Sequence, residues 1–173
     1  FSQQWEMYRR KVNRIAERIV SFHRPYVRPI KRGKQGKEVE FGGKGALSQV
    51  DGFLFLDYFA HEAYAEQNVT ACHLEAYVER FGKLPPSFTG DQKYGTRENR
   101  ELMGELEIRE SFKPLGRKAK EVWKNDRWFR NKQKERNRIE GSLGHGKEHY
   151  ALDRVRYSVK DGSEIWVRAG ILA

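Results

Sequence analysis

With 173 residues, 34 Lys and Arg against 24 Asp and Glu, a formal net charge of +10 and a pI near 9.7, the chain suits a polyanionic partner: DNA, RNA or an anionic membrane surface. The length fits one domain with a single core and is too short for two full ones, and 38% hydrophobic with 13% aromatic residues excludes a disordered chain. The longest apolar run, residues 53–60, is interrupted by Asp57 and far too short to span a bilayer; no signal-peptide pattern opens the chain; and the single cysteine, Cys72, excludes an internal disulfide and a cysteine-built zinc site, which fits a reducing cytoplasm.

From Gln3 to about Arg18, Trp5, Tyr8, Val12, Ile15, Ala16 and Ile19 recur at spacings of three and four, which predicts an amphipathic packing helix with Arg9, Arg10, Lys11, Arg14 and Arg18 on its back. Pro25, Pro29 and the run from Lys31 to Lys37 have no period and predict an extended crossing followed by a flexible basic loop, suited to touching phosphates and not to reading bases. Residues 38–50 read as a glycine-rich strand and 53–60 as a more apolar one, joined by Asp51-Gly52, a strong hairpin dipeptide. Asn68 is placed to cap a helix running to about Phe81, with Val69, Cys72, Ala76, Tyr77 and Arg80 along one side and Gly82 to end it. Pro85-Pro86 then forces an extended entry into residues 87–91, a short strand ending in Asp91.

Thr96 can cap a further helix carrying Leu102, Met103 and Leu106, and residues 107–112 read as another short strand. Strand, helix, strand in this order implies a parallel pair with the helix laid over it, and ligand sites in such sheets lie beyond the carboxyl ends of strands, where Asp91 stands. From Lys113 through Lys134 cations dominate, with Trp123, Trp128 and Phe129 interleaved; aromatics in that setting can stack on bases, though stripes of this kind more often pack. The chain closes with a turn at Asp161-Gly162 and a short apolar helix from Glu164, and it has no internal repeat.

The segment around residues 136–147 carries the chemistry. On a helix, Arg136, Glu140, Leu143 and Lys147 fall at i, i+4, i+7 and i+11, one carboxylate on a stripe with two cations and an apolar anchor, a face able to meet phosphate and metal together. Spacing alone favours a solvated helix face bearing an ordinary ion pair, and Asp91 is open to reading as a turn former. His145 and His149 lie four apart, but Gly144 and Gly146 weaken that helix and no third ligand is evident; His61 and His73 read as surface or core residues.

The order Arg136, Glu140, Lys147 resembles that around the last catalytic carboxylate of bacterial insertion-sequence transposases of the DDE class, which have an RNase H-like fold, an α/β architecture with a mixed sheet and flanking helices. That family often has a tyrosine three residues before the arginine, where this chain has Gln133. Residues 28–34, 39–44, Asp91-Gln-Lys-Tyr94 followed by Thr96-Arg-Glu-Asn99, and Pro114 to Arg117 look like further blocks of one branch of the family, so that the likeness runs from about Arg18 to Tyr150. It implies that residues 1–20 end a helical insertion, that 21–173 form the C-terminal part of the catalytic domain, and that the first core strand with its aspartate lies upstream of Phe1, leaving this polypeptide inactive by itself. Asp51 and Asp57 are the local substitutes for that acid, but the first belongs to a turn and the second to an edge strand.

The resemblance further implies metal-dependent phosphodiester cleavage and strand transfer at insertion-sequence ends. Asp91 and Glu140 would be the second and third acids and the ligands of Mg2+ or Mn2+, with two ions in the intact enzyme; Arg136, Lys147, Tyr94 and Lys44 would contact DNA. The implied partners are double-stranded DNA, as transposon ends and target, and further copies of the chain in a synaptic complex; the implied location is the bacterial cytoplasm, at the nucleoid. The donor chemistry agrees, since hard divalent ions prefer carboxylate oxygens converging from different elements. The alternatives are a basic nucleic-acid-binding domain without catalysis and a nuclease of the same fold.

Overall fold

Asp51-Gly52 turns the chain back on itself. In the computed structural model, which describes residues 1–34, 37–116, 126–157 and 159–173, β3 (Lys44–Val50) and β4 (Phe53–Ala60) form an antiparallel hairpin with Val50 opposite Phe53. Asp51 and Gly52 have φ of 50° and 93°, the positive values that a type I′ turn requires at both central positions. Gly43 sits where a Cβ would come within 2.0 Å of the Phe59 ring, so the break before β3 needs a residue without a side chain.

Ahead of this hairpin the expected extended crossing and basic loop, with the first part of the strand expected over 38–50, is instead a two-stranded ribbon, β1 (Pro29–Lys34) against β2 (Lys37–Phe41), with Pro29 opposite Phe41 and Lys34 opposite Lys37. Ile30 is buried while Val39 and Phe41 stay exposed, so the two apolar side chains of β2 do not enter the core. The first helix is shorter than its periodicity predicts. α1 (Ser2–Arg10) ends where Lys11 turns left-handed and its N–H bonds back to Tyr8, and α1 buries none of its residues; Trp5 and Tyr8 stack on each other in the open.

A 3-10 turn (Glu66–Val69) leads into α2 (Thr70–Phe81), so Asn68 lies inside the turn, and Val69 at the N-cap offers no side-chain cap. Gly82, left-handed at φ 67°, closes the helix as expected, its N–H donating to Val78 at 2.8 Å. The buried face is Thr70, His73 and Leu74, not the side running through Cys72, Ala76 and Arg80. Two of the three buried residues are polar and go inward because buried partners await them, which a count of apolar residues cannot register.

β5 (Ser87–Phe88) and β6 (Arg109–Glu110) pair in parallel through the crossover helix α3 (Arg97–Glu105), whose Thr96 cap accepts a hydrogen bond from the Asn99 amide at 3.2 Å. Leu74, Met103 and Ile108 form the buried core here, with Phe88, Leu102 and Leu106 packed against them. Asp126 then caps α4 (Arg127–His149), its carboxylate accepting from the Trp128 amide at 2.8 Å. The closing helix α5 (Gly162–Leu172) starts at Gly162, packs along β4, and sends Arg168 to the Leu56 carbonyl at 3.4 Å.

The described residues therefore build a mixed α/β arrangement of three two-stranded sheets, β1–β2, β3–β4 and β5–β6, rather than one mixed sheet. No described strand lies between β3 and β5, so each has one ladder partner only. Among the described residues no helix is long and apolar enough to cross a membrane.

Candidate functional site

β3 and β5 flank a groove of about 720 Å³, with the hairpin turn at Asp51-Gly52, the start of α2 and the middle of α4 as its other walls. Two side-chain bonds pin α4 across it: Gln49 of β3 donates to the Ser142 hydroxyl at 3.0 Å, and Gln133 donates to the Ser111 carbonyl just past β6 at 2.8 Å. Gln133, standing where the resembling transposases often have tyrosine, thus anchors the helix.

Asp91 follows β5 in extended conformation and caps the 3-10 turn Gln92–Tyr94, its Oδ1 accepting from the Gln92 amide at 2.7 Å. Arg136 of α4 reaches back to it, with Nη1 at 3.3 Å from Asp91 Oδ1 and Nη2 at 3.9 Å from Glu140 Oε1. One guanidinium therefore sits between two carboxylates from separate elements, and both carboxylates stay open, their side chains 52% and 69% exposed. Lys132 and Arg138 line the same groove. Lys147 lies exposed further along α4 and does not line it; Lys44 is engaged elsewhere, its Nζ over the Tyr64 ring at 4.4 Å and donating to the Tyr64 carbonyl at 2.9 Å.

Tyr94 lines the groove with its ring against Phe88, and Gly90 permits the approach, since a Cβ there would come within 3.2 Å of both rings. Burial, reinforced by the nearby Glu66, Asp57 and Asp91 carboxylates, pushes the Tyr94 phenol up to about 12, so it is a neutral hydroxyl at physiological pH. Behind it stands an internal ion-pair cluster. The Asp57 side chain is wholly buried, with Oδ2 at 2.6 Å from His73 Nδ1 and Oδ1 at 2.6 Å from Arg80 Nη2, and His73 Nε2 lies 3.3 Å from the Tyr94 hydroxyl. Burial alone would raise the Asp57 carboxyl, but hydrogen bonds with His73, Ser48 and Arg80 outweigh it and hold the group below the usual carboxylate range. Sequence reading left His73 as an unremarkable residue; the available signal was an aspartate inside the most apolar strand, which has to be paired once buried.

Other expectations do not gather at the groove. The His145 and His149 rings lie 4.3 Å apart on α4, and among the described residues no group of three or more His, Cys, Asp or Glu is arranged to hold a metal. Phe129 is buried in the core and Trp128 is covered by the Arg109 guanidinium at 3.7 Å, so neither is an open platform for a base. Trp123 and Arg117 lie outside the described residues, as do the side chains of the 31–37 basic run.

The two open carboxylates provide hard oxygen donors that fit a divalent ion of the magnesium class, and they are fewer than a complete protein-built site would use. No curated protein and no solved structure matches the chain. Residues 88–169 match the family model described as the transposase DDE domain, a segment that runs from the end of β5 through Asp91 and the whole of α4 into α5. The part of the chain that brings both groove carboxylates together is thus similar to the transposase DDE domain family.

Proposed function

We propose that the chain is part of an RNase H-like transposase catalytic core that acts on double-stranded DNA at insertion-sequence ends, with Asp91 and Glu140 as two acids of its triad. The observation that carries this reading is the meeting of Asp91 and Glu140 on one guanidinium at the rim of a groove lined by further cations. Two carboxylates that already share a cation in the folded chain can share a metal ion. Mg2+ or Mn2+ held there would supply Lewis acidity at the phosphate and a more acidic bound water. The protein's own groups would do the rest: Asp91 and Glu140 hold the ion, Arg136 releases them to face phosphate, Lys132 and Arg138 offset the charge of the strand, and Tyr94 stays a neutral hydroxyl.

Asp57 does not supply the remaining acid, because its oxygens are committed to His73 and Arg80 away from solvent. The unpaired sides of β3 and β5 on either wall of the groove suit the first core strand of an RNase H-like sheet, which would bring its aspartate to Asp91. In this arrangement residues 1–20 end a helical insertion, 21–173 belong to the catalytic domain, and copies of the chain assemble on DNA ends.

A second reading, a basic DNA-binding domain without catalysis, is favoured because no group of three or more His, Cys, Asp or Glu among the described residues is arranged to hold a metal. Duplex DNA binding followed by fluorescence anisotropy separates the two. The transposase reading expects Mn2+ to tighten binding and Asp91→Asn or Glu140→Gln to remove that increment, leaving the salt-dependent phosphate contribution intact. Affinity that responds to salt and ignores Mn2+ in all three proteins would leave only the binder.

A further inference from the structure

The Asp57–His73–Tyr94 chain has no part in holding a metal ion, yet it ends in a hydroxyl on the groove wall, three residues beyond Asp91. Three elements contribute: Asp57 from β4, His73 from α2 and Tyr94 from the 3-10 turn. The turn is itself fixed to α2, because the Asn99 amide donates both to the Tyr94 carbonyl at 2.9 Å and to the Thr70 hydroxyl at 2.8 Å. The backbone that carries Tyr94 is thus tied to the helix that carries His73, and the hydroxyl lies 3.3 Å from His73 Nε2.

We propose that Asp57 and His73 are positioning residues that set this direction, and that a DNA phosphate at Tyr94 binds together with one proton taken up from solvent by His73. Asp57, ionised between His73 and Arg80, accepts from Nδ1 and so fixes the imidazole proton on that nitrogen. The neutral ring presents a lone pair at Nε2, and the Tyr94 O–H donates inward to it across 3.3 Å. In that state the groove meets an oxygen lone pair, with which a phosphate oxygen cannot bond. When Nε2 is protonated the ring becomes the donor, the phenol oxygen accepts, and the Tyr94 hydrogen turns outward to the phosphate. No covalent bond to DNA forms; the only transfer is of one proton from water to Nε2.

Charged groups stand around the His73–Tyr94 pair on several sides. Asp57 lies directly behind the ring and Arg80 on its far oxygen; Glu66 and Asp91 bear on Tyr94 from the preceding turn and the groove rim, and Arg136 faces from α4. Phe88 of β5 is the apolar neighbour of the ring. Because the phenol is held neutral, a hydroxyl and not a phenolate meets the incoming strand. The inference rests on the groove being the DNA site.

The test has two arms on the full chain. Nitrogen-15 NMR should show His73 as the Nδ1–H tautomer with a downfield ring proton that Asp57→Asn removes, and Tyr94→Phe should move the Nε2 signal. Anisotropy with a duplex oligonucleotide at fixed salt, between about pH 8 and pH 5 where imidazoles titrate, should give wild-type protein a steeper gain in affinity than Tyr94→Phe. The difference should approach about tenfold per pH unit, the limit for one linked proton. Tyr94→Phe keeps the ring packing and the background from His23, His61, His145 and His149. Parallel curves for the two proteins, or a proton resident on Nε2 in the neutral ring, would overturn the proposal, while absence of DNA binding at any pH would remove the groove reading beneath it.

Discussion

An aspartate enclosed in an apolar hairpin is a liability unless its charge is met, and Asp57 is met twice, by His73 and by Arg80. Asp57→Ala strands both partners and is expected to cost about 3–5 kcal/mol, read as a shift in urea midpoint at an unchanged slope. The pH dependence follows from the direction of the shift. The folded-state carboxyl lies below its unfolded value, so its contribution is complete above the unfolded value, about 3.9, and is lost as pH falls through the folded one. Wild-type stability should therefore fall more steeply than that of Asp57→Asn below about pH 4. At the groove, Arg136→Ala removes the cation shared by Asp91 and Glu140. Pairs this exposed are worth up to about 1 kcal/mol, so Mn2+ affinity should rise by about twofold to fivefold while DNA affinity drops, both measurable by calorimetric titration. Asp91 and Glu140 could be singled out from spacing and resemblance because each stands in a local pattern. The Asp57, His73 and Arg80 cluster could not, because its members come from two elements and nothing in the intervening sequence links them.

Elements with their own punctuation were legible: the Asp51-Gly52 hairpin, α3 behind Thr96, the parallel pair on either side of it, and α2 ending at Gly82 all formed where local chemistry indicated. Those whose outcome depends on contact were not. α1 stops at Arg10 because nothing among the described residues covers its apolar stripe, and residues 31–34 of the basic run pair into a ribbon through backbone contacts with a partner strand. The glycines of α4 give this scale its prediction. Gly144 has open space where a Cβ would stand, so Gly144→Ala should stabilise by about 0.5–1 kcal/mol through helix propensity. At Gly146 the same methyl would lie 2.4 Å from Leu152, so Gly146→Ala should destabilise by about 1–3 kcal/mol despite the same backbone gain. Thermal unfolding of the two variants should move in opposite directions.

For the whole molecule, the sum of local successes did not give the assembly. Two of the three strand pairings, helix order and basic charge were readable, but the single mixed sheet was not what these residues form: two of the three small sheets stand on opposite sides of a groove. Long-range joining of strands depends on which chains occupy the space between them, and no residue pattern within β3 or β5 encodes that. What the arrangement does achieve is to bring a loop and a distant helix to one guanidinium within a chain of net charge +10. The central claim is that these two acids act as one ion-binding unit, and electron paramagnetic resonance of Mn2+ titrated into the full chain tests it most directly. Saturable binding in the wild type, lost in Asp91→Asn and in Glu140→Gln alike and no weaker in the double variant than in either single one, is the predicted result. Binding that survives both substitutions, or that falls in independent steps as each acid is removed, would contradict it.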